Sequence, residues 1–286
     1  MPNIHSTHGD LAEALAGEST GKRPTGGLDA TVIINADDWG QDADTTNRSL
    51  ECYLGGAISS VSAMVFMEDS ERAALLAQEH SVEVGLHLNL TTCFSAQQCL
   101  PRIIEHQQRL SHFLRSHRLA PVIYHPGLAA SFEYVVRAQL EEFDRLYGVP
   151  ANRVDGHHHM HLCANVFRQK LLPAGTIVRR NFSFGPGEKG YINRFYRRWQ
   201  DRGLARRHRL ADFFFSLPPI HPRSRLEQIF ERAKRFNVEV ETHPVNPDEY
   251  KFLLDGELLQ FAGKGAVARG YLLRSGVCAA NGGAIL

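Results

Sequence analysis

Histidines and carboxylates gather in four short clusters, and those residue types suit metal-assisted or acid–base hydrolysis. The densest is Asp155-Gly-His157-His158-His159-Met-His161, with four imidazoles in five residues. Protonated imidazoles would repel one another, so the run makes sense around a cation or as a proton relay. Drawn as extended chain, it puts His157, His159 and His161 on one face and His158 on the other. It is not the zinc-binding H-E-x-x-H helix, because no Glu separates the histidines. A second cluster, Asn35-Ala-Asp37-Asp38-Trp39-Gly40, holds adjacent carboxylates. Side chains alternate along a strand, so both can face one site only where the strand turns, which Trp39-Gly40 is expected to supply. In Val84-Gly-Leu-His87-Leu-Asn89-Leu-Thr91 the polar positions Gly85, His87 and Asn89 alternate with apolar ones and need partners, since unpaired burial is costly. The last cluster is Glu241-Thr-His243-Pro244, where proline stops a strand and fixes the loop presenting His243. Arg179-Arg180 ends the run Thr176-Ile-Val and can turn one guanidinium toward the same place.

Each cluster follows a short apolar run, and helix-like segments separate the runs. Thr31–Asn35, Ile58–Phe66, Val82–Leu90 and Val238–Thr242 read as strands, the first rich in β-branched residues. Leu50, Tyr53 and Leu54 before Gly55-Gly56, then Glu71–Glu79, Pro101–His117 and Ser131–Tyr147, read as helices; proline opens the third, and Gly148 stops the last. Ser224-x-x-Glu227 has the spacing of a capping box. From Arg194 to Arg209 seven arginines alternate with aromatics, which predicts an amphipathic helix with a solvated basic face. Alternating strand and helix signals predict an α/β protein with a mostly parallel sheet, and active sites of such folds lie where the strands end. Residues 1–28 read as a polar, turn-rich tail, 29–274 as one domain, and 275–286 as loosely structured.

Composition narrows the classes. The chain has 286 residues, 43% hydrophobic and 22% charged, as in an ordinary globular protein. Its net charge of +1 gives no global field for nucleic acid, so none is expected as a partner. Five scattered cysteines without a C-x-x-C pair argue against a disulfide framework or a thiolate zinc site and suit a reducing compartment. With neither a basic, apolar leader nor a run long enough to span a bilayer, a cytoplasmic protein is expected. Oligomeric state is left open, a homodimer being compatible.

The four clusters, in this order, resemble the YdjC-like carbohydrate deacetylases, the family of chitooligosaccharide deacetylase. That pattern, N-A-D-D-[FW]-G, G-x-H-x-x-L-T, D-x-H-H-H-x-H and a late H-P, is met here by Asn35–Gly40, Gly85–Thr91, Asp155–His161 and His243-Pro244. The resemblance implies a distorted single-domain (β/α) barrel of the polysaccharide-deacetylase type, and removal of acetyl groups from N-acetylated amino sugars or oligosaccharides. It further implies one divalent metal ion, zinc or magnesium with manganese and cobalt admissible, held by Asp38, His87 and His157. Asp37 would be the general base, His243 the general acid, and Arg179 the residue that orients the base; substrate contacts are expected at Asn89, His159 and His161. Thr242 and Val245 depart from the family, which usually has cysteine before the late histidine and a small residue after its proline. The departure spares the metal ligands and bears on sugar specificity. Two rival readings are a barrel metallohydrolase for another amide or a phosphoester, and a homologue that binds metal or carbohydrate without catalysis. The first would need a second set of metal ligands; the second leaves the extra carboxylate of the Asp37-Asp38 pair without a use.

Overall fold

β-branched runs and amphipathic stretches fold as successive βα units. In chain order they are β1 (Ile33–Trp39), α1 (Ala43–Leu54), β2 (Ser60–Ala63), α2 (Ser70–Glu79), β3 (Val84–Leu88), α3 (Pro101–Ser116), α4 (Ala129–Tyr147), β4 (Arg153–Gly156) and α5 (Ala164–Gln169). There follow β5 (Ile177–Val178), α6 (Tyr191–Leu204), β6 (Phe213–Ser216), α7 (Arg223–Ala233), β7 (Val238–Thr242), α8 (Pro247–Leu254) and α9 (Glu257–Ala262). This computed structural model describes residues 32–184, 188–262 and 266–274, so the tails expected at 1–28 and 275–286 lie outside the described residues.

The seven strands form one sheet in the order β5-β4-β3-β2-β1-β7-β6, and every pairing is parallel. The sheet curls, and its two edges are partly stitched: an isolated bridge joins Ile177 to Arg209, and Ser183 N donates to Phe214 O at 2.8 Å. The result is the expected single-domain (β/α) barrel, open along one seam. Among the described residues no helix is long and apolar enough to cross a membrane.

Alternation within the strands sorts the residues. Ile34, Ala36, Val61, Ala63, Leu86, Leu88, Val154 and Val240 are buried in one apolar cluster with Leu110, Phe132, Phe143 and Ile229 of the surrounding helices. The alternate positions, Asn35 and Asp37, Ser60 and Ser62, His87, Arg153 and Asp155, Glu239 and Glu241, are equally buried but polar. Burial of so many polar groups is tolerable only if they pair with one another. Gly85 shows how tight that interior is: a Cβ there would lie 2.6 Å from Cζ of Arg153.

Two expectations are corrected. α7 starts at Arg223 with Pro222 before it and no side-chain cap, so Ser224 and Glu227 do not form a capping box. The arginine-rich helix exists as α6, but its apolar residues, rather than its basic ones alone, face outward: Tyr191, Ile192, Phe195 and Trp199 are exposed.

Candidate metal centre and its buried charge network

β1 runs two residues past the Asp37 position and turns within itself. Asp38 has φ of 66°, in the left-handed region that aspartate tolerates better than most residues, and the β1–β2 register shifts between Ala36 and Trp39. Trp39 and Gly40 form the expected turn, closed by Gln41 N donating to Asp38 O at 3.0 Å with Gly40 at φ of 85°, and the left-handed Asp38 just before it brings both carboxylates to the inner side. Asp38 Oδ1 stands 3.1 Å from Nε2 of His87 and 2.7 Å from Nδ1 of His157. Ligand atoms of these three residues lie within 4.8 Å of one another, a group able to hold a metal ion.

The donor set fits a divalent cation. One carboxylate and two imidazoles suit zinc and related first-row ions and leave positions for other ligands. His87 is oriented from behind, its Nδ1 standing 2.7 Å from Asp155 Oδ1, the carboxylate–histidine pairing common behind metal-binding imidazoles. Electrostatics favour positive charge at the same point. Burial opposes a proton on His87, yet Asp37 and hydrogen bonds with Asp155 and Asp38 outweigh it and lift the imidazole to about 10. Burial likewise opposes ionisation of Asp38, but His157 and His87 hold its carboxyl well below the usual range.

Beside this group, Arg179 organises the carboxylates. It follows β5 directly, is 1% exposed, and donates to both oxygens of Asp37 at 2.6 and 2.7 Å. The same guanidinium donates to Glu239 at 2.7 Å and lies 3.0 Å from Asp155 and 3.4 Å from Glu241. Burial is the strongest single influence on Asp37 and opposes its ionisation, but Arg179 and His87 together outweigh it and hold the carboxyl below its usual range. Glu239 and Glu241 are pushed up, chiefly by burial, and Glu241 also by the neighbouring Asp37 charge. Ser62 links the halves: it donates to Asp155 at 2.6 Å and accepts from Asn35 at 2.8 Å and Arg153 at 2.8 Å. Tyr271 closes the far end, donating to Glu239 at 2.6 Å.

The histidine run is not extended. Gly156 ends β4, and His158 and His159 adopt left-handed conformations inside a 3-10 turn spanning His157–Leu162. His157, His159 and His161 therefore take different partners instead of sharing one face, while the rings of His157 and His158 lie 4.0 Å apart, which corrects the extended drawing. His157 meets Asp38, and His158 Nδ1 lies 3.0 Å from Thr91 Oγ1. His159 packs on Phe182 at 4.6 Å between centroids, with Nε2 3.7 Å from Glu241, and burial holds it down at about 3. His161 is 1% exposed with Nε2 2.9 Å from the carbonyl of Arg179, and burial lowers it to about 4.

Asp37, Asp38, His87, His157 and Arg179 thus meet in one place. The substrate contacts expected at Asn89 and His161 do not fit their burial. Asn89 is fully buried, its Oδ1 accepting from Thr91 N and Thr92 N and its Nδ2 donating to Thr92 O, so it builds its own loop. Of the three, His159 alone keeps solvent-facing surface. His243 begins the loop after β7, half-buried, with its backbone N donating to Glu249 at 2.9 Å. Sequence reasoning assigned no role to Ser62, Arg153, Asp155, Glu239 or Glu241. The available signal was the polar–apolar alternation of Ser-Val-Ser-Ala and Val-Glu-Val-Glu inside a parallel sheet, where an all-apolar strand is the norm.

The model of the YdjC-like protein family matches residues 31–263. A carbohydrate deacetylase of Brevibacillus brevis is 32% identical over 55% of this chain and 62% of its own. A carbohydrate deacetylase of Clostridium beijerinckii is 25% identical over 74% of this chain and 80% of its own. A chitooligosaccharide deacetylase of Yersinia pestis is 28% identical over 51% and 59%. The chain therefore spans less than two thirds of the Brevibacillus and Yersinia relatives. A crystal structure from Enterococcus faecalis V583, of a candidate cellobiose-phosphate cleavage protein, superposes with a TM-score of 0.58 at 15% identity, covering 84% of this chain and 97% of that one, and shares the fold. With a family match across most of its length, this chain belongs to the YdjC-like protein family.

Proposed function

We propose that the protein is a metal-dependent carbohydrate deacetylase that removes acetyl groups from N-acetylated amino sugars. The observation that carries this reading is the convergence of Asp38, His87 and His157 next to a separate, ionised Asp37 held by Arg179. Binding alone would need the three ligands and no further carboxylate. The carbohydrate deacetylases among its relatives support the sugar substrate.

When bound by Asp38, His87 and His157, a divalent ion supplies a Lewis acid for the acetamide carbonyl and lowers the pKa of an adjoining water. Asp37 would be the base that accepts a proton from the attacking water. Arg179 keeps Asp37 ionised and fixes both of its oxygens, so the base is positioned before substrate arrives. Asp155 holds His87 from behind. His243 protonates the departing amine as the C–N bond breaks, since an unprotonated amine leaves poorly. His159 lines the approach for the sugar. Two imidazoles favour zinc or a related first-row ion over magnesium.

The test is acetate release from a panel of N-acetylated sugars beginning with diacetylchitobiose, with zinc, magnesium, manganese or cobalt added. Metal-dependent acetate is expected from the wild type, while Asp37→Asn binds the ion yet turns over about a hundredfold more slowly or worse. A fully active Asp37→Asn would remove the base assignment. Protein that binds one ion per chain and releases no acetate from any sugar would overturn the substrate class.

A further inference from the structure

α6 sits the wrong way round for a helix that covers a core. Its buried residues are Gln200, Asp201 and Leu204, while Tyr191, Ile192, Phe195 and Trp199 are 83, 85, 63 and 52% exposed. At 3.6 residues per turn Tyr191, Phe195, Trp199 and Arg202 form one outward row, with Ile192 beside it. The inward polar residues hold the helix in this orientation. Asp201 accepts from Arg180 at 3.0 Å and from Asn181 N and Nδ2 at 3.0 and 2.9 Å, and Gln200 donates to the carbonyl of Leu162. Rolling the helix to bury its aromatic side would strand these groups.

Cations flank the row on both sides. One cavity, of about 240 Å³, is lined by Arg180, Arg194, Arg197, Arg198 and Arg232; its one carboxylate among the described residues is Asp201, already engaged. The other, of about 650 Å³ and bordered by Trp199, is lined by Arg168, Lys170, Arg202, Arg206 and Arg207, with no carboxylate among the described residues. An apolar, aromatic ridge between arginine-lined recesses is the pattern of helices that lie in the headgroup layer of an anionic bilayer.

We propose that α6 docks on an anionic lipid surface, its aromatic row entering the headgroup layer and the flanking arginines taking lipid phosphates. A second copy of this chain fits less well. A two-fold interface on this face would set arginine against arginine with no carboxylate to answer it. Single-stranded nucleic acid fits the arginines and rings, but Ile192, the most exposed residue of the patch, has no ring on which a base could stack.

The experiment is co-sedimentation of the full chain with phosphatidylcholine vesicles, with and without phosphatidylglycerol. Pelleting is expected only with the anionic lipid and should weaken as salt rises. The Arg194→Gln/Arg198→Gln/Arg202→Gln triple variant should partition roughly a hundredfold less, since each arginine near such a surface contributes about fivefold. Trp199 emission should shift to the blue on binding, with Trp39, fully buried, contributing no change, and Phe195→Ser should shrink both the shift and the partition. The proposal falls if folded wild-type protein, checked by circular dichroism, ignores anionic vesicles, or if neither variant changes partition. It falls equally if the same residues bind a single-stranded oligonucleotide or support a dimer while vesicles are ignored.

Discussion

Arg179 and the arginines of α6 carry the same side chain in opposite surroundings. Arg179 is enclosed by Asp37, Asp155, Glu239 and Glu241, and despite burial its guanidinium is pushed well above its ordinary pKa by Asp155, Asp37 and Glu239. Arg198 and Arg202 are exposed, and among the described residues only Asp201 brings a carboxylate to the cavities they line. The first arrangement is a closed account of charge, which fixes geometry and admits one more cation at a defined point. The second is open and can be completed only by an anion from outside. Burial in the barrel makes each charge depend on its neighbours, whereas exposure on α6 leaves each nearly independent.

The largest expected effect tests that dependence. Arg179→Leu leaves up to four buried carboxyls without their common partner and should cost about 3–5 kcal/mol in denaturant unfolding, with activity lost. Arg179→Lys should not rescue, because an ammonium cannot repeat the two parallel bonds to Asp37. A loss within about 0.5 kcal/mol would mean the carboxyls are simply protonated and the network is not interdependent. Next in size is Asp155→Asn, which removes the carboxylate behind His87. Affinity for zinc or cobalt, read by titration calorimetry, should fall about 10–100-fold. An unchanged affinity would separate His87 from the metal group.

The third effect is confined to acid. His161 is neutral in the fold, lowered by burial to about 4 from an unfolded value of 6.5. As pH falls below about 6.5 the unfolded chain takes up this proton and the native one does not, so stability drops from there to about pH 4 and is unaffected above. His159, held at about 3, adds to the same trend. Melting temperatures across this range should show a shallower acid loss in His161→Phe than in the wild type. Parallel curves would show that other groups account for the acid loss.

Legibility in sequence followed how local the determinant is. Asp38, His87 and His157 come from three separate strand ends, yet each lies in a short motif that the parallel-sheet reading placed where a strand ends, and the fold brings the three together. The strand–helix order was equally legible, because apolar period and glycine stops such as Gly148, with φ of 70°, act within a few residues. What escaped depends on packing across the barrel. Histidine visits the left-handed region only occasionally, so the histidine run gave no warning that His158 and His159 would adopt it and send His157, His159 and His161 to different partners. Asn89 alternates correctly with Leu88 and Leu90, but whether its amide meets a substrate or its own loop depends on where residues 91 and 92 return. α6 has the periodicity of an amphipathic helix whichever way it is rolled; Asp201, bound by Arg180 and Asn181 some 20 residues earlier, chooses the side.

The smallest expected effect sharpens the contrast between barrel and helix most directly, because it uses one substitution in both places. Phe214 lies on β6, fully buried, stacked on Phe182 at 4.6 Å with Arg179 above its ring at 4.9 Å. Phe214→Ala removes buried surface and leaves a cavity beside the charge network, and should cost about 3–5 kcal/mol. Phe195 on α6 is already 63% exposed, so most of its apolar surface meets water in the folded and unfolded chain alike. The burial term nearly cancels, no cavity forms, and alanine has the higher helix propensity. Phe195→Ala should therefore shift unfolding by no more than about 0.5 kcal/mol in either direction. A cost of about 2 kcal/mol or more in the isolated protein would mean that something within the chain already covers the row, which would then be unavailable to a membrane. A near-zero cost, paired with loss of vesicle binding, would assign the exposed aromatics to a partner and not to the fold.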